Sequence, residues 1–530
     1  MRKFLFALFV VCSFVMNAQV VQVSGNQSGV WNGEVHLTGD VFVPDGEVLT
    51  VEAGTSVIAD GYYGITVSGA FLAFGDKESR ISFTVADTTG YSNYAVPELG
   101  GWKGILFFKP DEIKIDYCDF SYGKTQLDGD GGAMCMFWGR DVEISNSTFH
   151  HNTMRRRGGA IFAENSILNI HDCTVYDNFG VGFEGSYTWG SGFQFLKCNI
   201  VMSDMVFYNN TGAGYGGGMN VDSCNLELKN AVFYKNSATN AGGLGIQRCK
   251  NYNVKVSNML AYENSVIHYG GGLAIATSDP ELNNLTIVHN YCGGGGGAGM
   301  QNAFNANPTL NNCIFYDNRA LHISKDDNRD TVEYYYGSQI WLWGSDCFPI
   351  FNNGLVQYGL DTIGNGEFLP ESHYNDMINT NPLFVNASMH DYHLTENSPC
   401  VNTGTADISG LFVPYIDLDG GPRICGERID MGCYEFGYEN VNETSIDENT
   451  ISIYPNPLND NAYCIIKLNK NSDVVLRLFS LDGKEVYREE IKGLEAGENR
   501  VSLDGMMGNL EKSNKIYLLN IDNQSVKIIY

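Results

Sequence analysis

Basic residues are in short supply in this chain. Lys and Arg number 33 against 61 Asp and Glu, for a net charge of −28. So acidic a protein is repelled by nucleic acid and by anionic membrane surfaces, which makes both poor partners. Long apolar runs are missing too: after the first segment, none approaches the ~20 residues that a membrane-spanning helix needs. Charged residues of both signs make up only 18% while aromatics reach 12%, a balance that excludes a disordered chain. No zinc-ligand spacing, nucleophile elbow, P-loop or dinucleotide fingerprint occurs anywhere. What abounds is glycine, 61 of 530 residues, with Tyr, Phe and Asn, the composition of many short strands and tight turns. The length fits two or three domains, or one long array with an appendage.

The opening MRKFLFALFVVCSFVMNAQ has a basic start at Arg2 and Lys3, an apolar core from Phe4 to Met16, and a small/polar zone at Asn17-Ala18-Gln19. It reads as a secretory signal peptide, residues 1–19, too short to anchor. Cys12 follows Val11 rather than the small residue a lipoprotein shows. Export permits disulfides. Of 14 cysteines, losing Cys12 with the leader leaves an odd 13, so at least one thiol is unpaired or pairs between chains.

A repeat organises the middle of the chain. Asn closes an aromatic or apolar pair at Asn152, Asn178, Asn210, Asn236, Asn264, Asn290 and Asn318, with spacings of 26, 32, 26, 28, 26 and 28. Glycine clusters keep step at Gly131-Gly132, Gly158-Gly159, Gly217-Gly218, Gly242-Gly243 and Gly271-Gly272, and Gly190-Ser191-Gly192 fills the slot once. Such a period marks an array. Within each copy, text such as NVDSCNLELKNAVFY alternates apolar and polar residues and holds no helix-length amphipathic stretch. Three strands and three bends per copy give the coil of a parallel β-helix, with equivalent residues stacked ~4.8 Å apart. The Asn column is expected to bond amide to amide and to tolerate the bend conformation. The glycines are expected to supply positive φ.

GGAIFAEN at 158–165 and VFYNN at 206–210 resemble the repeats of polymorphic outer-membrane proteins, and residues 113–318 resemble right-handed parallel β-helix proteins of bacterial surfaces. Upstream, GDVFVPDGEVLTVEAGTSVIAD, GITVSGAFLAFG and GWKGILFF continue the strand pattern, so the array is placed at 20–367. From 368 to 436 the text resembles the module called choice-of-anchor Q, on Ser398-Pro399-Cys400, Asp417-Leu418-Asp419-Gly420, Arg423 and Asp430-Met431-Gly432 before Glu435. The resemblance implies a module that closes a β-helix. One disulfide among Cys400, Cys425 and Cys433 is compatible with it. After a polar linker at 437–449, residues 450–530 resemble the type A sorting domain of type IX secretion. The matching residues are Tyr454-Pro455-Asn456-Pro457, Leu481-Asp482-Gly483-Lys484, the stretch from Gly497 to Asn499, and Ile516-Tyr517 before Lys527. Lys515 stands where the family has glycine. Strand–turn–strand alternation gives a small β-sandwich here independently. The resemblance implies interaction with the type IX machinery and export across the outer membrane of a Bacteroidetes-like bacterium. The fold class is therefore all-β, a right-handed parallel β-helix followed by a β-sandwich.

Candidate ligand residues collect in the bend between each ladder Asn and the next glycine cluster. One bend carries Arg155, Arg156 and Arg157, and the next carries Phe183, Tyr187 and Trp189. Later bends add Tyr215, then His268 and Tyr269, then Tyr291, then Tyr334, Tyr335 and Tyr336. Guanidinium groups pair with carboxylate or sulfate, and Tyr and Trp present an apolar body with a polar tip to sugar rings. The expectation is an extended acidic glycan, with the arginines holding charge and Tyr187, Trp189 and Tyr269 stacking. His268 is the first candidate for proton transfer. Equally, Tyr is an ordinary decoration of exposed bends.

Asp128 and Asp130 beside a glycine bend, with Arg157 one coil above, fit either a salt bridge between stacked bends or the calcium-assisted chemistry of pectate-lyase-like β-helices. Asp417, Asp419 and Gly420 fit either a Ca²⁺ loop or a turn whose carboxylates accept backbone N–H groups. His150 and His151, adjacent in a strand, are expected to point to opposite faces. Calcium apart, no cofactor is expected. The reading is a non-catalytic glycan-binding or adhesin-like surface scaffold. The alternative is a lyase or glycoside hydrolase acting on an acidic polysaccharide, and a third option is a purely structural stalk.

Overall fold

The computed structural model describes residues 20–93, 96, 98–125, 129–181, 188–322, 332–334, 337–365, 369–437, 450–454, 463–468, 471–480, 485–494, 497–503, 516–521 and 524–529. The leader and most of the 437–449 linker therefore lie outside the described residues. The chain forms two compact units, 1–438 and 439–530. Among the described residues there is no α-helix.

The first unit is a parallel β-helix. Each coil contributes to three ladders. Sheet one runs through Ile65–Val67, Ile105–Phe108, Met134–Phe137, Ile161–Glu164, Phe193–Leu196, Met219–Asp222, Leu244–Gln247, Leu273–Ala276, Met300–Ala303 and Ile340–Trp343, all parallel and in register. The long strands Ile167–Tyr176, Asn199–Tyr208, Asn225–Tyr234 and Val254–Tyr262 bend once and serve sheets two and three in turn. The last rung of sheet two is Tyr374–Asn375 on Ile350–Asn352. Alternate side chains fill the interior, where like stacks on like: Phe83 on Phe120 and Phe120 on Phe149 lie 4.6 and 5.1 Å apart, and Phe207 on Phe233 4.7 Å.

The Asn ladder is buried and continuous. From Asn152 to Asn318 each Nδ2 donates to the next Oδ1 at 2.9–3.0 Å, and that oxygen also accepts the backbone N–H of the preceding Asn at 3.0–3.2 Å. The bend itself is made by the residue before each ladder Asn. His151, Asp177, Asn209, Lys235, Glu263, His289 and Asp317 take φ of 49–54°. The expectation that the ladder Asn adopts the bend conformation is thus corrected by one residue. A second column does use Asn for this purpose. Six residues before each ladder Asn stand Asn146, Asp172, Asp204, Asn230, Asn258, Asn284 and Asn312, with φ of 46–57°, at the corner between sheets two and three. Short polar side chains tolerate this left-handed region, and here they also bond from coil to coil, as Asn258 does to Asn230 at 3.0 Å. The glycine column is imposed by close approach: a Cβ on Gly159 would lie 1.8 Å from the carbonyl oxygen of Ser191 in the next coil.

The module expected at 368–436 to close the β-helix lies, over 412–432, along the flank of the coils, because the corner column and its neighbour Asn283 offer it hydrogen bonds. Asn258 donates to the Ile416 carbonyl at 2.7 Å, Asn283 to that of Phe412 at 3.0 Å, and Asn284 to those of Asp430 and Gly432 at 3.0 and 3.1 Å. Arg423 is 2% exposed and pins the segment's own turns. Its guanidinium donates to the carbonyls of Cys433 and Gly432 and pairs with Glu435 at 3.1 Å.

The second unit holds two antiparallel sheets. One is Thr450–Tyr454, Tyr463–Leu468 and Gly497–Ser502; the other is Glu485–Leu494, Ser472–Ser480, Ile516–Ile521 and Gln524–Ile529. Alternate residues of each are buried: Cys464, Ile466 and Leu468 in one, Val474, Leu476 and Leu478 in the other.

Candidate functional site: a groove over the first coils

Sheet one sends every second side chain outward. From the coil of Phe162 onward one outward column is largely buried, as Phe162, Gln194, Asn220, Ala274 and Gln301 show, while Trp343 further along the sheet is 42% exposed. The bends roof that column over. Arg157, Trp189, Tyr215, Asn240 and Tyr269 form one column of backbone pairs above that face. The Arg157 guanidinium sits 4.0 Å over the Phe162 ring, and a Cβ on Gly245 would meet the Tyr215 ring at 2.9 Å.

Among the described residues, no such roof covers the earlier coils. There the outward column Phe42, Thr66, Leu106, Cys135 is in register and open, with Phe42 46% and Leu106 37% exposed. It floors a groove of about 470 Å³. Phe108 and Trp138 stand just beside this floor, edge to face at 5.4 Å, with Lys109 close to both rings.

The opposite wall is polar. Lys103 Nζ holds both oxygens of Asp40 at 2.9 and 2.7 Å, and Gly64 N–H donates to the same carboxylate at 3.0 Å. Arg157 grips Asp130 through two bonds of 3.1 and 2.7 Å, and Arg156 approaches the same carboxylate at 3.9 Å. Tyr62 is anchored by its hydroxyl to the Lys124 carbonyl at 2.7 Å, and burial raises its phenol well above the usual range. The Lys124 ammonium is buried inside the 86–101 loop, ringed by the carbonyl oxygens of Tyr91, Asn93, Val96 and Leu99 at 2.9–3.3 Å. Burial lowers its pKa. Thr125 lines the groove and is 7% exposed, and its Oγ1 has no hydrogen-bond partner among the described residues.

The residues expected from the sequence distribute unevenly. Arg157 and Asp130 do meet, one coil apart, and Asp130 lines the groove; Asp128 lies outside the described residues. The three arginines do not form an open anion cradle, since Arg155 is buried and Arg157 is engaged. Trp189, Tyr215 and Tyr269 share the roof column, but Tyr215 packs inward and the Tyr269 ring meets Trp343 edge-on at 5.0 Å. Burial raises the Tyr215 phenol. His268 is exposed beside Tyr269, its ring 6.3 Å away, and Tyr291 is 41% exposed. Phe183, Tyr187, Tyr335 and Tyr336 lie outside the described residues, and the side chain of Tyr334 is not described. His150 and His151 turn toward each other, Nδ1 to Nδ1 at 2.9 Å, because the left-handed backbone of His151 breaks the strand alternation.

Asp417 and Asp419 do not face a shared ion. Asp417 accepts N–H groups from Asp419, Gly421 and Glu435 at 2.9–3.0 Å, as an ordinary turn carboxylate does, and Asp419 pairs with His393. No group of three or more His, Cys, Asp or Glu side chains is placed to hold a metal among the described residues. Cys400, Cys425 and Cys433 are free thiols, with Cys400 and Cys433 packed into separate apolar clusters.

Asp40, Tyr62, Lys103 and Thr125 escape a reading of the repeat, since they precede it. The signal was in the strands: VFV, ILFF and MCMF are apolar at outward as well as inward positions.

Comparison with known proteins agrees with this architecture. Residues 74–260 match the family described as Right handed beta helix region, and residues 452–529 match the Secretion system C-terminal sorting domain. No curated protein matches the chain. No helix among the described residues is long and apolar enough to cross a membrane. The chain thus joins a right-handed parallel β-helix to a C-terminal sorting domain of type IX secretion, which directs it to the cell surface or the extracellular space.

Proposed function

We propose that the protein is a non-catalytic scaffold that displays a glycan-binding, adhesin-like groove outside the cell, having entered the export route through the leader at 1–19. The observation that carries this reading is the open floor of Phe42, Leu106 and Cys135 beside the polar wall of Asp40, Tyr62, Lys103 and Asp130. An apolar floor with a few convergent polar groups is the usual make-up of a small-ligand site. Sugars need both, since their C–H faces pack on apolar surface while their hydroxyls bond to the wall. The test is a glycan array probed with the full chain. Saturable binding that falls in a Leu106→Ser variant supports the reading, and no binding to any glycan favours a structural stalk.

A second reading has one observation in its favour: two carboxylates, a lysine and an arginine share the groove. Each carboxylate already has its cation partner, however, so neither is presented free to a substrate. Ultraviolet detection of unsaturated uronates, run with calcium across acidic polysaccharides, together with reducing-sugar release, would reveal turnover.

A further inference from the structure

Resting on the glycan reading, we infer that the groove takes a neutral, hydroxyl-rich pyranose chain rather than an acidic one. Three independent features point this way. First, the charges on the wall close on themselves. Asp40 is held by Lys103 and Asp130 by Arg157, while Arg156, 56% exposed, leans on the same Asp130. A uronate or sulfate would have to break one of these pairs to gain a cation of the wall, and a bidentate Arg–carboxylate contact is among the stronger pairings a protein makes; the exposed Lys109 beside the floor lies over the Phe108 and Trp138 rings instead. Second, the molecule as a whole carries a charge of −28, so a polyanion is repelled before it arrives. Third, the groups left unsatisfied are those a hydroxyl can satisfy. Thr125 lines the groove, and its buried Oγ1 lacks a partner among the described residues; a buried hydroxyl gains from meeting a neutral donor or acceptor.

The floor supplies the register. Phe42, Thr66, Leu106 and Cys135 occupy equivalent positions of successive coils. They therefore repeat every ~4.8 Å, a spacing close to the repeat of an extended pyranose chain. Consecutive sugar rings can thus each lay a C–H face on one floor position, with their hydroxyl edges turned to Thr125 and the wall. This reverses the expectation of an acidic glycan drawn from the arginine run, two of whose three members the fold has already committed.

The experiment is isothermal titration of the full chain with neutral hexamers (of glucose, mannose, xylose and N-acetylglucosamine) and with galacturonate and guluronate hexamers. Each is run at about 50 mM and about 500 mM salt, which moves the screening length severalfold. The expected result is saturable binding of at least one neutral hexamer and of neither uronate, changed by less than about twofold between the two salt concentrations. Phe42→Ser and Thr125→Val should each weaken that binding by about tenfold, a loss of the size expected when a central contact is removed. Phe42 is exposed, and thermal melts of both variants check that the fold is retained. Binding confined to the uronates, weakening with salt and abolished by Arg156→Ser, would overturn the neutral inference and leave the glycan reading standing. Absence of binding to every hexamer would overturn both.

Discussion

Asn236 uses its whole amide. Nδ2 donates to the Phe207 carbonyl and to Asn264 Oδ1, both at 2.9 Å, while Oδ1 accepts from the backbone and side chain of Asn210 at 3.1 and 2.9 Å. The residue is fully buried. Asn236→Leu leaves polar groups on two neighbouring coils without partners and should cost about 1–3 kcal/mol. Asn225 also bonds its neighbours, to Asn199 at 2.6 Å and from Asn253 at 2.7 Å, but in solvent reach. Asn225→Ala should therefore cost less. Circular-dichroism melts compare the two, and equal losses would show that burial adds nothing to the ladder. The ladder was legible in the sequence because one residue type recurs at a fixed period; where the column continues beyond Asn318, Gln339 takes over, accepting at 2.7 Å and donating onward to Gln357, and there the period no longer shows it. The left-handed residue before each ladder Asn was not legible, since Lys235 and Glu263 serve there as well as Asn209, and local backbone conformation leaves no compositional mark when several residue types tolerate it. Lys124 was equally invisible: a lone lysine gives no hint that a distant loop will wrap its ammonium in four carbonyls. Lys124→Met should loosen the 86–101 loop, seen as faster cleavage within it under limited proteolysis. A cleavage rate equal to that of the unaltered protein would show that the loop holds itself.

At the scale of elements, the segment 381–437 and the coils it lies against are joined by histidines as well as by asparagines. His390 pairs with Glu263 at 2.8 Å, and His289 Nδ1 meets the Tyr392 hydroxyl at 2.9 Å. Within the segment, His393 sits between Asp419 and Asp391, stacked on the Tyr434 ring at 4.1 Å. The hydrogen bond to Asp419, and then that to Asp391, raises the imidazole to about 9 against the opposing effect of burial. A folded-state value above the unfolded ~6.5 means the pair's contribution is complete below ~6.5 and is lost as pH climbs through about 9. The side chain is 41% exposed, so solvent screening limits that contribution to about 1 kcal/mol. The unaltered protein should lose more thermal stability between those two pH values than His393→Gln does. Melts of the two that run parallel across the window would show the pair to be neutral. The sequence made the motif Asp417-Leu418-Asp419-Gly420 visible but left its use open between ion and turn. The turn reading is favoured by three backbone N–H groups brought to Asp417 from residues up to 18 positions away, which no local spacing displays. The groove was hidden for a related reason. Its floor comes from strands that look like ordinary core segments, and only the register of successive coils shows which apolar side chains face out.

At the scale of the whole molecule, the chain has one body that holds a surface and a second that carries an address. The β-helix stacks equivalent residues, so its long face can vary coil by coil without disturbing the core, and the groove occupies the coils that the bends leave uncovered. Nothing in that body identifies an export route; the match to a secretion sorting domain lies wholly within 452–529. The compact units divide at 438/439, so deleting residues 450–530 removes the address without cutting a strand of the first unit. If residues 1–19 act as the leader that their sequence suggests, such a variant still crosses the inner membrane. It is expected to accumulate folded in the periplasm, detected there by fractionation and absent from the surface of intact cells by antibody labelling. Its appearance on the surface would show that some other part of the chain is read by the export machinery. In the full-length protein the polar stretch at 437–449 reads from the sequence as the linker in front of the sorting domain. The surface form should therefore be cut there, and mass spectrometry of it should find a C-terminus within 437–449 and no peptide containing Tyr530. Recovery of Tyr530 from the surface form would mean that the sorting domain stays attached after export.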